Sequence, residues 1–175
     1  MFLSQPDLPG PLLPAAARIA VIAPSGPVQP ARLEAGLDVL RGWGYRPQVG
    51  GHVLAVAGHT AGSAAQRLED LRWAMTDPDL DAIWFARGGF GSMHLLEDLI
   101  KLTRGPSVVP GRPLLGFSDA TAFLAALYRE HSLTADLADP APRGLTGIHA
   151  PVLTALGDTV TPAVQERVRA MLQQG

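Results

Sequence analysis

Gly116-Phe117-Ser118-Asp119-Ala120 places a hydroxyl between small residues two positions before it and two positions after it. The run 114–117 is short and apolar like a strand, and an Ala/Leu-rich helical pattern follows through Phe123, Leu124 and Leu127 to about His131. At so sharp a strand-to-helix turn a serine presents its oxygen above the sheet, where it can act as a nucleophile. Close packing of strand and helix then demands small flanking residues. Gly116 and Ala120 meet that demand, with Ala in place of the second Gly of G-x-S-x-G. The same spacing also suits a helix cap, the commoner use of such a serine, in which Ser118 or Asp119 satisfies the first amides of the helix.

Arg87-Gly88-Gly89-Phe90-Gly91 is a second candidate. It follows the buried-strand pattern 81–86 and precedes a helix carrying Leu95, Leu96 and Leu99, so its backbone N–H groups can converge on an anion or a developing oxyanion. A tight turn that needs glycine sterically, and a phosphate cradle, fit the same residues. The G-K-[ST] of a P-loop and a full G-x-G-x-x-G are both missing.

A serine nucleophile needs a base in hydrogen-bond reach. Glu130 and His131 lie on the helix that Ser118 starts, about 18–20 Å away at 1.5 Å per residue. His94 can approach Ser118 if the strands before the two turns are neighbours. His149 and Glu166 are geometrically open but have no visible orienting partner. Asp77, Asp79 and Asp81 crowd a helix-to-strand loop and read as solvated turn residues. His52, His59, His94, His131 and His149 lack ligand spacing such as H-E-x-x-H, so no metal and no cofactor enters the reading.

The elements that must position these groups alternate between β-type and helical periods, the pattern of a parallel sheet covered by helices. The run 19–23 ends in Pro24-Ser25-Gly26-Pro27 and leads to Leu33, Leu37 and Leu40 at helical spacing, stopped by Gly42 and Gly44. A weaker strand is expected within 47–56. Ser63 and Gln66 form a capping box for a helix with Leu68, Leu71 and Met75 on one face, closed by Pro78. Beyond the Ser118 unit, 136–144 reads as a connection and 147–151 as a brief extended piece. Thr161-Pro162 opens a last helix with Val164, Val168, Met171 and Leu172 on one face.

The chain has 175 residues, 47% hydrophobic and 17% charged, against roughly 25% charged in ordinary soluble domains. This excludes a disordered, polyelectrolyte or coiled-coil chain. Fourteen basic and sixteen acidic residues give a net charge of -2 without a Lys/Arg run, so neither nucleic acid nor an anionic membrane is an expected partner. Zero cysteines exclude disulfides, thiolate zinc sites and cysteine nucleophiles within these residues. No stretch is long and apolar enough for a membrane span. Residues 1–17, with Pro6, Pro9, Pro11 and Pro14 and no basic n-region, read as a loose Pro-rich leader rather than a secretory signal. These features fit the cytoplasm.

Taken together, RIAVIAPSGPV, AGSAAQRLEDLRWAMTDPDLDAIWFARGGFGS, RPLLGFSDATAFL and IHAPVLTAL resemble the LD-carboxypeptidase family of serine peptidases, which includes muramoyl-tetrapeptide carboxypeptidases and microcin C immunity proteins. The resemblance runs from about Arg18 to Leu156. It implies an α/β, flavodoxin-like, mainly parallel sheet flanked by helices, the N-terminal domain of a two-domain hydrolase. Residues 18–150 would be the nucleophile domain, and 151–175 a connecting segment and helix. The implied reaction is hydrolysis of the amide between an L-centre and a terminal D-alanine in murein tetrapeptides, in cytoplasmic peptidoglycan recycling. Ser118 is the implied nucleophile, and the backbone amides of Asp119 and of Gly89, or alternatively Gly88, the implied oxyanion hole. Arg87 is a candidate substrate contact, and dimerisation is a tendency of the family.

His94 stands where relatives often carry Arg, and Ala150 replaces a common Gly. The family's catalytic Glu and His come from a second, C-terminal domain, and nothing between His149 and Gly175 matches the segments that supply them. The expectation is therefore a nucleophile domain without its base, inactive or nearly so alone. The alternative is a non-catalytic fragment that binds a separate C-terminal half, marked by exposed apolar surface on the last helix and around Ile148.

Overall fold

The computed structural model describes residues 11–134 and 146–174. Five strands, β1 (Arg18–Ile22), β2 (Arg46–Val49), β3 (Ala82–Phe85), β4 (Pro113–Gly116) and β5 (Thr146–His149), form one sheet. Every pair is parallel and the order is β2-β1-β3-β4-β5. The alternating periods predict the parallel sheet, and the family resemblance implies its flavodoxin-like character; the ladder shows the flavodoxin-like order. Order reverses between β1 and β3, which opens a crevice beyond the carboxyl ends of the strands.

Helices cover both faces: α1 (Pro30–Gly42), α2 (Ala64–Thr76), α3 (Leu96–Thr103), α4 (Thr121–Thr134), α5 (Leu153–Leu156) and α6 (Pro162–Gln174). Successive strand residues point to opposite faces, and the core divides accordingly. Ile19, Val21, Trp84 and Leu115 meet α1, α5 and α6 through Leu33, Leu37, Leu153 and Leu172. Ala20, Ile22, Ile83, Phe85 and Leu114 meet α2, α3 and α4 through Leu71, Met75, Leu99 and Phe123. Burial on both faces explains why β3 and β4 read as unbroken apolar runs rather than alternating ones.

The strand expected within 47–56 is confined to Arg46–Val49. Past it the buried Asp70 carboxylate accepts the His52 N–H at 3.0 Å, which draws the chain into a turn and off the ladder. Ser63 and Gln66 form the expected capping box: the Gln66 N–H reaches Ser63 Oγ at 3.2 Å and the Ser63 N–H reaches Gln66 Oε1 at 2.9 Å. Ser63→Ala should cost about 1 kcal/mol, read as a lower urea midpoint with unchanged slope.

The aspartates before β3 are structural. Asp81 accepts the Arg18 N–H at 2.7 Å, Asp79 pairs with Arg18 at 2.9 Å, and Asp77 accepts Trp73 Nε1 at 3.1 Å. Within the Pro-rich leader, residues 11–17 are not loose. Leu13 and Ala17 are buried, and the Leu13 N–H donates to the Leu172 carbonyl of α6 at 3.0 Å.

Helix α5 was not anticipated. Its Thr154 N–H donates to Ala86 at 3.0 Å, and Trp84 Nε1 donates to Pro151 at 2.8 Å, so the chain after β5 folds back beneath β3. Helix α6 buries Val168 and Leu172, and Ile148 packs half-buried against the same core. Among the described residues no helix is long and apolar enough to cross a membrane.

Candidate active site

Strand β4 is buried throughout and ends at Gly116, with Phe117 extended and half-exposed beyond it. Ser118 then takes φ +65°, a left-handed conformation that costs a non-glycine residue about 1–2 kcal/mol. It is exposed and opens a 3₁₀ turn, Ser118–Ala120, leading into α4. Gly116 faces Ala120 across the turn: a Cβ at Gly116 would stand 2.7 Å from that of Ala120 and 3.2 Å from the Phe85 ring. The small residues expected around the serine are therefore needed for close strand-to-helix packing.

The helix-cap alternative fails on this geometry. An N-cap residue holds β-region dihedrals and accepts an amide of its own helix. Here Phe117 occupies the cap position, and no side chain caps the turn. Asp119 does not serve as a cap either. Its carboxylate accepts the Ser92 N–H at 2.9 Å, and its carbonyl accepts Ser92 Oγ at 2.7 Å.

Strand β3 runs through Ala86 into the glycine loop, and β3 and β4 are neighbours. Gly88 is buried against the serine, since a Cβ there would lie 3.0 Å from Ser118 Cβ and 3.2 Å from Oγ. Its carbonyl accepts the Gly26 N–H at 3.0 Å. Gly89 takes φ +118°, and a Cβ on it would lie 3.1 Å from Gly26 Cα. The turn after β1, through Gly26, and the glycine loop after β3 thus press together beside the hydroxyl. The Gly89 N–H is bonded to no described residue. Arg87 is exposed and donates to the Pro27 carbonyl.

Arg67 on α2, unremarked in the sequence, holds this assembly together. Its buried guanidinium donates through Nη1 to the Pro24 carbonyl at 2.6 Å and to the Gly91 carbonyl at 2.9 Å. Burial lowers its pKa, while the nearby Asp119 carboxylate acts in the opposite direction. Ser92 and Asp119 join the glycine loop to the serine turn, so Arg67 and Asp119 together fix three loops from three parts of the chain. Arg67→Met should lower stability by about 2 kcal/mol, the scale of lost charge-assisted bonds, with faster amide exchange across 88–92. A midpoint shift without that local acceleration would show that Arg67 does not hold the loop.

Of the side chains considered as bases, none is hydrogen-bonded to the Ser118 hydroxyl among the described residues. His149 is exposed, its ring edge-on to Phe117 at 5.0 Å. The His94 ring lies edge-on to Phe90 at 5.3 Å, Glu166 pairs with Arg169 at 3.9 Å, and Arg104 holds Glu130 at 2.8 Å. A His–carboxylate pair does exist, His52 Nδ1 to Asp70 Oδ1 at 3.0 Å. It lies beyond β2, three strand spacings or about 14 Å from β4, and holds a turn. No group of three His, Asp or Glu suited to a metal occurs among the described residues.

Two cavities flank the turns. One of about 470 Å³ lies beside Gly26, His59, Arg87, Gly89 and Phe90. The other, about 360 Å³, is bounded by Phe117, His149, Pro151 and Val160.

The molecule is thus an α/β domain with a doubly wound parallel sheet, an exposed, strained serine at one strand-to-helix turn and a glycine loop pressed against it. The chain belongs to the LD-carboxypeptidase family: residues 19–135 match the LD-carboxypeptidase N-terminal domain. It is 39% identical over 150 residues to the murein tetrapeptide carboxypeptidase of Pseudomonas aeruginosa, covering 86% of this chain and 44% of that protein. In fold it is similar to an MccF-like protein of Bacillus anthracis, with TM-score 0.75, 23% identity, and coverage of 95% of this chain and 47% of the other. It is also similar in fold to the muramoyltetrapeptide carboxypeptidase of Oxalobacter formigenes, with TM-score 0.68, 24% identity, and coverage of 87% and 47%. The chain spans about half the length of the relatives it matches.

Proposed function

We propose that these residues form the nucleophile domain of an LD-carboxypeptidase that hydrolyses the amide between an L-centre and a terminal D-alanine in murein peptides. The observation that carries the proposal is Ser118 at φ +65° on the end of β4, against Gly88. Backbone strain of this kind persists where the surroundings enforce it, and it clusters at functional sites. Ser118 Oγ attacks the scissile carbonyl carbon and its proton passes to a base. The carbonyl oxygen gains the negative charge, held by the N–H groups of Gly89 and Asp119, with Gly88 the alternative donor. The C–N bond then breaks, the base returns its proton to the D-alanine nitrogen, and water hydrolyses the acyl-serine.

The base is a His oriented by Glu, supplied by residues beyond these 175, in the same polypeptide or a separate one. Phe90, Met93 and Phe117 are 58%, 61% and 51% exposed around the turns, an apolar rim suited to being covered. Exposed apolar surface was expected instead on α6 and around Ile148. There α6 buries Val168 and Leu172 and Ile148 is half-buried, and among the described residues of these segments only Val164, at 36%, is a large exposed hydrophobic. The reading places the reaction on recycled wall peptides in the cytoplasm and includes a dimer, testable by sedimentation.

The alternative, a non-catalytic fragment that assembles with a separate half, uses the same rim. A fluorophosphonate probe separates the two. With the base-bearing half present, the adduct is expected on Ser118 by peptide mapping. Absence of an adduct, or an adduct on another residue, overturns the enzymatic reading.

A further inference from the structure

An enzyme that removes only the last residue of a peptide must recognise the free carboxylate that an internal residue lacks. The 470 Å³ cavity has the features for it. It lies at the point where strand order reverses, between the turns after β1 and β3, where α/β sheets of this type bind ligands. Its ionisable lining groups are Arg87 and His59, with no carboxylate among them. Arg87 is held in place by its bond to the Pro27 carbonyl, which uses one of the five guanidinium donors. The Gly89 N–H, on a residue that also lines the cavity, is bonded to no described residue.

Spacing fits as well. Gly88 touches Ser118, and Gly89, the next residue, borders the cavity. The terminal carboxylate of a substrate lies one residue past the scissile carbonyl, a reach of at most about 3.3–3.6 Å. We propose that this cavity receives the terminal carboxylate of the leaving amino acid. Arg87 is the cationic anchor, His59 is a further donor, and the exposed Phe90 is the wall against the alanine methyl, while the Gly89 N–H stays with the oxyanion at the cavity's edge. The inference rests on Ser118 as nucleophile, and it makes Arg87 and His59 the determinants of cleavage at a chain end.

The test is binding, so that it does not depend on turnover. The 175-residue chain carrying Ser118→Ala and labelled with ¹⁵N is titrated with N-acetyl-L-lysyl-D-alanine, whose only carboxylate is terminal. It is titrated in parallel with the C-terminal amide of that dipeptide, and with N-acetyl-L-glutamyl-D-alanine amide, whose only carboxylate is on the side chain.

The free acid is expected to shift the Gly89 amide, Arg87 Nε and His59 ring signals and to bind about tenfold or more tightly than its amide. Arg87→Gln, at an exposed position, should erase that difference. Three outcomes would overturn the proposal: equal binding of acid and amide, preference for the side-chain carboxylate, or no shift at these residues with the free acid. Loss of Ser118 labelling with this preference intact would remove the enzymatic reading and leave a carboxylate-binding cavity.

Discussion

Replacing Ser118 by alanine is expected to lower D-alanine release by at least about a thousandfold, measured in the form of the protein that includes its base. Alanine meets the same left-handed backbone cost that serine already bears at φ +65°, so the substitution removes the hydroxyl with little other change. Because Ser118 is exposed and caps nothing, the melting temperature should stay within a degree or two. That combination separates a nucleophile from a structural serine. A structural role predicts the reverse, a lower melting temperature with release largely retained.

Gly89→Ala should have the next largest effect, about a hundredfold to a thousandfold on kcat with little change in KM, the scale of losing one oxyanion donor. At φ +118° an L side chain is strained, and its Cβ would press on Gly26 at 3.1 Å from Cα and 3.2 Å from N. That Gly26 N–H already bonds the Gly88 carbonyl, so the substitution displaces both glycine turns and the N–H beside Ser118. Strain alone would also lower stability. Gly111→Ala supplies the comparison, since Gly111 has φ +72° and precedes β4 at the opposite end of the sheet. It should lower the melting temperature and leave kcat unchanged. Equal loss of kcat in both variants would remove Gly89 from the site.

The parts of the site legible in the sequence are those written in local spacing. The small-x-Ser-x-small pattern around Ser118, the glycine cluster after β3 and the capping box at Ser63 each depend on neighbours within a few positions. The alternating periods likewise carried the parallel sheet, while its flavodoxin-like character came from the family resemblance. Ser118 as a cap was equally compatible with spacing, and only its backbone dihedral and the partners of Asp119 decided against it.

What spacing cannot carry is contact across the chain. Arg67 reaches carbonyls 43 and 24 residues away; its spacing from Leu71 and Met75 puts it on the buried face of α2, but does not show which carbonyls it meets there. The same holds for the His52–Asp70 pair, 18 residues apart. Helix α5 is one turn long, too short to show a period. Strand β2 stops early because of Asp70, a residue on another element. Gly88 and Ser118 are 30 positions apart and touch only because β3 and β4 pair.

The measurement that bears most directly on the central claim is D-alanine release from a murein tetrapeptide. It compares the 175-residue chain alone, the chain joined to the C-terminal half of the Pseudomonas aeruginosa murein tetrapeptide carboxypeptidase, and that fusion carrying Ser118→Ala. Release is expected from the fusion only, and is abolished by the serine substitution. Release at a comparable rate by the 175 residues alone, or release by the fusion that survives Ser118→Ala, would contradict it.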